Sequence, residues 1–170
     1  MKDKKAAART EAAKELKVNE RKWSKTLMDA GWTVIPGVII ERQRALGLDA
    51  LDMNILLHLA NHWWTHDNKP HPSKKRIAEA MQVTPRTVQR HIAALEAAGF
   101  IRREQRRIPG HGSKTNRYHF DGLIKAARPF ALEKLEEKAR HEGESKERTR
   151  RRRPRLQLVK NDDDGDDNAA

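Results

Sequence analysis

Apolar residues recur at helical spacing in three stretches in the middle of the chain, and polar residues punctuate them. Leu51, Ile55 and Leu59 mark a helix from about Asp49 to Trp63. Leu56 and Leu57 lie on its other faces, so this helix is apolar most of the way round and belongs at the centre of a core. Asp49 followed three residues later by Asp52 resembles a capping arrangement at its start. Ser73 then reads as the N-cap of a short helix over Lys74 to Met81 that buries Ile77, Ala78 and Met81. After a break at Gln82 and Val83, Thr84 and Pro85 give a second start signal, because proline at the first helical position loses only an N–H that has no partner there. Val88, Ile92 and Leu95 form one stripe along this third helix, which stops at Gly99. The period then changes. Phe100 to Ile108 and Lys114 to Phe120, joined by Pro109, Gly110, His111, Gly112 and Ser113, read as a β-hairpin with a glycine-rich tip.

The pattern weakens outside residues 49–120. Trp23, Leu27 and Met28 suggest a helix from about Glu20 to Ala30, ended by Gly31. Trp32 to Pro36 alternates and reads as a short strand or extended arm. Pro129 and Phe130 open a charged helix to about His141 whose only apolar points are Phe130, Leu132 and Leu135, so its docking should be weak. From Glu142 to Ala170 only Leu156, Leu158 and Val159 offer anything to bury, and ordering such a stretch costs entropy that no core offsets. The fold class that follows is mainly α with a small β-hairpin, followed by a disordered charged tail.

Composition sharpens this picture. The chain has 170 residues with 36% hydrophobic and 35% charged, against about 45–50% and about 25% in ordinary domains, so the core must be local. The net charge is +12. It is unevenly spread: residues 71–119 carry 11 basic and 3 acidic residues, residues 125–160 carry 13 and 6, and residues 161–170 carry five aspartates. A field of this strength concentrates polyanions, which makes nucleic acid the first partner to test. Only the first basic region coincides with periodic sequence and can be a shaped site. The chain has no cysteine, which excludes disulfides, thiolate nucleophiles and Cys-based zinc sites. Nothing near Met1 forms an apolar signal core and no stretch approaches a membrane span, so the expectation is a cytoplasmic, nucleoid-associated protein with no membrane partner.

Helical geometry, at 100° per residue, places Arg86 and Arg90 opposite the stripe of Val88, Ile92 and Leu95, with Thr87 and Gln89 at the flanks. Arg86, Thr87, Gln89 and Arg90 are therefore the candidate base-contacting residues: arginine can reach guanine O6/N7 in a bidentate way and glutamine can pair with adenine. The hairpin arms carry Arg102, Arg103, Arg106, Arg107, Lys114 and Arg117, too much charge for burial. With Ser73, Lys74, Lys75, Thr84 and His111 they make the candidate phosphate-contacting set, which orients a duplex without reading it. The small tip of Gly110, His111 and Gly112 could follow a minor groove.

Residues 49–120 resemble a winged helix-turn-helix DNA-binding domain. The resemblance rests on four strings in order: Pro72 to Ala78, Val83 to Ile92, Leu95 to Ile101 and Asn116 to Leu123. They look like those of bacterial helix-turn-helix proteins, including plasmid and phage replication proteins. It implies a three-helix core, a recognition helix at about Pro85 to Ala98 and a wing ending near Phe120. The organisation is then a helical N-terminal extension (1–31), a winged helix-turn-helix domain (32–124), a charged helix (125–141) and a basic then acidic tail (142–170). The partner implied is double-stranded DNA, with a homodimer left open. The leading function is a sequence-specific transcriptional regulator. The alternatives are a replication initiation or partitioning protein using the same domain, and a non-specific architectural or RNA-binding protein driven by its arginine tail.

Each candidate has a plainer reading. Arg86 and Arg90 could be a solvated helix face, and the wing arginines could protect an edge strand from aggregation. His58, His62 and His66, spaced i, i+4 and i+8 with His71 nearby, could share a metal; but His58 faces the core side and no cysteine assists, so no metal site is assigned. Trp63 and Trp64 read as core and rim. Gly110 to Thr115 departs from the phosphate-loop spacing and lies in a hairpin. No G-x-S-x-G, Cys/His pair or carboxylate cluster on a shaped segment points to catalysis, so no catalytic residue and no cofactor are assigned.

Overall fold

A computed structural model describes residues 14–108 and 112–151. These residues form seven helices and one hairpin: α1 (14–23), α2 (Lys25–Asp29), α3 (Gly37–Glu41), α4 (Ala50–Ala60), α5 (Lys74–Met81), α6 (Pro85–Ala97), β1 (Arg102–Ile108), β2 (Gly112–His119) and α7 (Asp121–Arg151). The architecture is mainly helical with a two-stranded antiparallel hairpin after the helices. The chain divides after Ala131 into two compact units.

The starts of the three central helices follow the chemistry visible in the sequence. At α4, Asp49 Oδ1 accepts from the Asp52 N–H at 2.7 Å while Asp52 Oδ2 accepts from the Asp49 N–H at 3.2 Å, a reciprocal capping box. Ser73 Oγ accepts from the Arg76 N–H at 3.1 Å, and Thr84 Oγ1 from the Thr87 N–H at 3.1 Å, with Pro85 at the first position of α6. Helices α5 and α6 end alike. The Val83 N–H bonds the Ala78 carbonyl and the Gln82 N–H the Glu79 carbonyl; the Phe100 N–H bonds the Leu95 carbonyl and the Gly99 N–H the Glu96 carbonyl. Both ends are Schellman motifs, with Gln82 (φ 53°) and Gly99 (φ 75°) as their left-handed residues.

Ile55, Leu56 and Leu59 of α4, Ile77 and Ala78 of α5, and Val88, Ile92 and Leu95 of α6 are buried together with Ile39, Leu46, Leu48 and Met53. Leu51 is only half-buried and Leu57 is exposed, so α4 is enclosed on most sides but not all. Tyr118 of β2 and Phe120 just after it, both buried, close the core. Trp63 stacks on Phe120 with centroids 5.3 Å apart, and the Tyr118 N–H bonds the Pro70 carbonyl at 2.9 Å, tying the loop before α5 to the hairpin. Gly122 is a point of close approach: a Cβ there would lie 1.8 Å from the Gly99 carbonyl oxygen, beside the bond from the Leu123 N–H to the Phe100 carbonyl.

Three expectations change. The single helix expected over Glu20–Ala30 is two, because Ser24 takes φ 76° and its side chain caps α2. Of the short strand or extended arm expected over Trp32 to Pro36, the arm forms, without strand pairing, and it leads into α3, a helix the sequence did not signal. The charged helix expected over 125–141 is part of α7, which starts at Asp121, passes through Pro129 and includes residues 142–151. Its first turns belong to the core unit: Leu123, Ala127 and Phe130 recur at i, i+4 and i+7, and the first two are buried. Within the second unit Lys138–Glu142 and Glu144–Arg148 pair at 3.9 Å across one turn, and Leu132 and Leu135 are exposed. The remaining tail lies outside the described residues.

Candidate nucleic-acid interface

Capping fixes the first turn of α6, and the burial of Val88, Ile92 and Leu95 fixes its rotation. The opposite side is then forced outward. There Arg86, Thr87, Gln89 and Arg90 line one cleft of about 540 Å³ together with Lys74, Thr84, Pro85 and Ala93. All four candidate base-contacting residues meet in this concavity. Arg86 and Arg90 are exposed, and their side chains make no ion pair among the described residues. Thr84 and Thr87 share a hydroxyl hydrogen bond at 2.9 Å. Lys74 Nζ donates to Gln89 Oε1 at 3.0 Å, which orients the glutamine across the α5–α6 corner. Lys74 and Thr84, expected among phosphate contacts, thus sit in the same cleft as the base-contacting candidates.

The angle of α6 against α4 is set by a second polar strap. His91 Nδ1 lies 2.8 Å from Asp52 Oδ1 and 3.8 Å from Asp49 Oδ2, within the capping box. Ligand-type atoms of these three residues lie within 4.8 Å of one another, a donor set of the kind that can hold a metal ion. Both carboxylates already cap α4, so the arrangement works as a tie between helices without an ion. His58, His62, His66 and His71, weighed as a metal set in the sequence, are not in this group.

The hairpin is less open than its charge suggests. Arg103 is held by Glu96, which accepts from both its backbone N–H and its guanidinium. Arg106 donates across the hairpin to the Thr115 carbonyl at 2.8 Å and to its hydroxyl at 3.1 Å. Glu104 accepts from Arg117 at 3.1 Å and faces His119 Nε2 at 2.8 Å. The Arg103 guanidinium holds the Glu96 carboxyl below the usual carboxylate range, and hydrogen bonding to His119 and Arg117 does the same for Glu104. Arg102 is exposed, and Lys75 pairs with Glu79 at 3.8 Å on the surface. The side chain of Arg107 and the whole of His111 lie outside the described residues, and Lys114 is exposed in β2. Sequence reading missed the carboxylates that hold these arginines. They depend on the strand register: Glu104 faces Arg117 across the ladder, and past a register shift between Glu104 and Arg106 the Arg106 side chain reaches Thr115.

Residues 46–101, about a third of the chain, match the family model of a helix-turn-helix domain, the segment from just before α4 to the base of the wing. Within this segment α5, the Gln82 turn and α6 supply the helix, turn and helix, and the hairpin follows it. No curated protein matches the chain. No helix among the described residues is long and apolar enough to cross a membrane.

Proposed function

We propose that the protein binds double-stranded DNA sequence-specifically and acts as a transcriptional regulator, a binding protein rather than an enzyme. One observation carries the reading: Arg86, Thr87, Gln89 and Arg90 converge in one cleft on the first turns of a helix whose opposite face is buried. In the major groove the two arginines supply bidentate donors for guanine and Gln89 supplies an amide for adenine. Lys75, Ser73, Arg107 and the exposed Arg102 and Lys114 supply phosphate contacts around the cleft, Lys74 and Thr84 supply them from within it, and Arg103, Arg106 and Arg117 stiffen the wing. Selection of a binding site from random duplexes tests specificity. Enrichment of no sequence overturns it. Mapping the occupied sites in cells then separates promoters, which support a regulator, from a single replication origin, which supports an initiator.

A further inference from the structure

A second cleft, of about 340 Å³, opens between the end of α4, the loop before α5 and the start of α5. His62, Asn68, His71, Ser73 and Arg76 line it, with Trp64 at 66% exposure on its edge. Every ionisable side chain that lines it is cationic or becomes so, and no carboxylate stands among them. The first turn of α5 carries no acidic residue either. Two carboxylates close by in the chain are engaged with other side chains, Asp67 with His66 at 3.1 Å and Glu79 with Lys75 at 3.8 Å.

The donors are also prearranged. His71 Nδ1 lies 3.1 Å from the Lys69 carbonyl, so its N–H is committed there, and Nε2 becomes a second donor, towards a ligand, in the imidazolium form. Ser73 Oγ already accepts from the Arg76 N–H, so its hydroxyl proton can be donated. Arg76 is exposed and its guanidinium makes no ion pair among the described residues. Burial and the charges of Arg76, His58 and His71 all push the His62 imidazole below its usual pKa. A cleft that sets an unpaired guanidinium beside imidazoles gains stability when an anion supplies the missing counter-charge.

We infer that this cleft is a phosphoryl-binding site, in which Arg76 and Ser73 donate to phosphate oxygens, His62 and His71 add donors as the bound anion draws protons onto them, and Trp64 offers a flat apolar face to the group that carries the phosphate. Two sources have this chemistry, a phosphate of a DNA backbone running beside α5 and a soluble phosphate or nucleotide. The site does not depend on α6 reading DNA.

The test uses the full chain. Inorganic phosphate and a nucleoside monophosphate are titrated while the imidazole resonances of His62 and His71 are followed. Saturable shifts and a raised His62 pKa are expected, since a bound anion stabilises the imidazolium against its neighbours His58, His71 and Arg76. Both should vanish in Arg76→Gln and weaken in His71→Gln; these exposed positions leave the core untouched. In parallel, the salt dependence of duplex binding is measured for the same variants, with Arg128→Gln as a reference for an equal charge change elsewhere. A slope flattened by about 0.9 log units per lost phosphate contact, beyond the effect of the reference, identifies the DNA backbone as the source. Saturable phosphate binding with an unchanged slope identifies a soluble ligand. Non-saturable shifts shared by Arg76→Gln, with a slope equal to the reference, overturn the site.

Discussion

The outer face of α6 carries two arginines and the hairpin five, yet the two regions dispose of them in opposite ways. On α6, Arg86 and Arg90 face an open cleft without a counter-charge. On the hairpin, Glu96 holds Arg103, Thr115 holds Arg106 and Glu104 holds Arg117. Formal charge is therefore a poor guide to the charge a polyanion would meet. Free guanidiniums on a rigid helix can form directional base contacts at low ordering cost, whereas those on the hairpin first have to leave an internal partner. The α6 face has the means to discriminate, and the hairpin is a stiffened arm with fewer cations to lend than its sequence suggests.

The largest expected effect removes both regions at once. Gly122 lets the start of α7 pass the Gly99 carbonyl at the junction of α6 and the hairpin, and a methyl group there would meet backbone at 1.8 Å. Gly122→Ala should cost about 3 kcal/mol of folding stability, the upper end of overpacking costs, because neither carbonyl nor helix can yield without moving the Leu123–Phe100 hydrogen bond. Thermal melting checks it. A variant as stable as the parent would show that the close approach is not a constraint in solution.

Next come the open arginines. Arg86→Ala or Arg90→Ala should lose about 1–3 kcal/mol on the selected duplex and relax preference at one or two base pairs, the cost of a bidentate base contact. Affinities for selected and random duplexes, measured side by side, decide the matter. Equal losses on both would reduce this face to non-specific attraction and erase the contrast with the hairpin.

The hairpin prediction is smaller and has the opposite sign. Glu96→Gln releases Arg103, so affinity for random duplexes should rise and the salt dependence steepen by up to about 0.9 log units. Arg103→Gln should change it less, since that guanidinium is already engaged. The same carboxylates set an acid limit. Glu96 and Glu104 sit below their ordinary value of 4.5, so their stabilisation of the hairpin is fully present above that pH and is lost as pH falls through the depressed values. Protection of the β1 and β2 amides, taken relative to the intrinsic exchange rate at each pH, should fall on acidification, and less so in the Glu96→Gln variant. Protection indifferent to both pH and substitution would mean that the ties do not hold the hairpin.

The sequence made the α6 face legible and left the ties of the hairpin hidden, for physical reasons. Caps and stripes are local: Ser73, Thr84, Pro85 and the spacing of Val88, Ile92 and Leu95 each act within one or two turns, so rotation of the helix follows from a few residues. The partner of an arginine on a hairpin depends on register, and the irregularity between Glu104 and Arg106 shifts that register by an amount no periodicity records. The approach of Lys74 to Gln89, fifteen residues away, likewise needs the angle between two helices. At α7, Pro129 read as a start signal and masked the stripe of Leu123, Ala127 and Phe130, which begins earlier and extends the helix into the core.

The smallest effect concerns the turn that sets this angle. Helices α5 and α6 end in the same hydrogen-bond pattern, but α6 uses Gly99 at the left-handed position and α5 uses Gln82, at φ 53° and ψ 41°. A side chain in that region costs about 1–2 kcal/mol in steric strain, while glycine gives back about 0.5–1 kcal/mol through the freedom it adds to the unfolded chain. Gln82→Gly should therefore stabilise the fold by up to about 1 kcal/mol. The reverse exchange, Gly99→Ala, should destabilise by a similar amount through backbone conformation alone, because no atom lies within 4 Å of where its Cβ would stand. Chemical denaturation of the two variants measures both. If the two changes move stability in the same direction, the left-handed geometry is not what the two helix ends share.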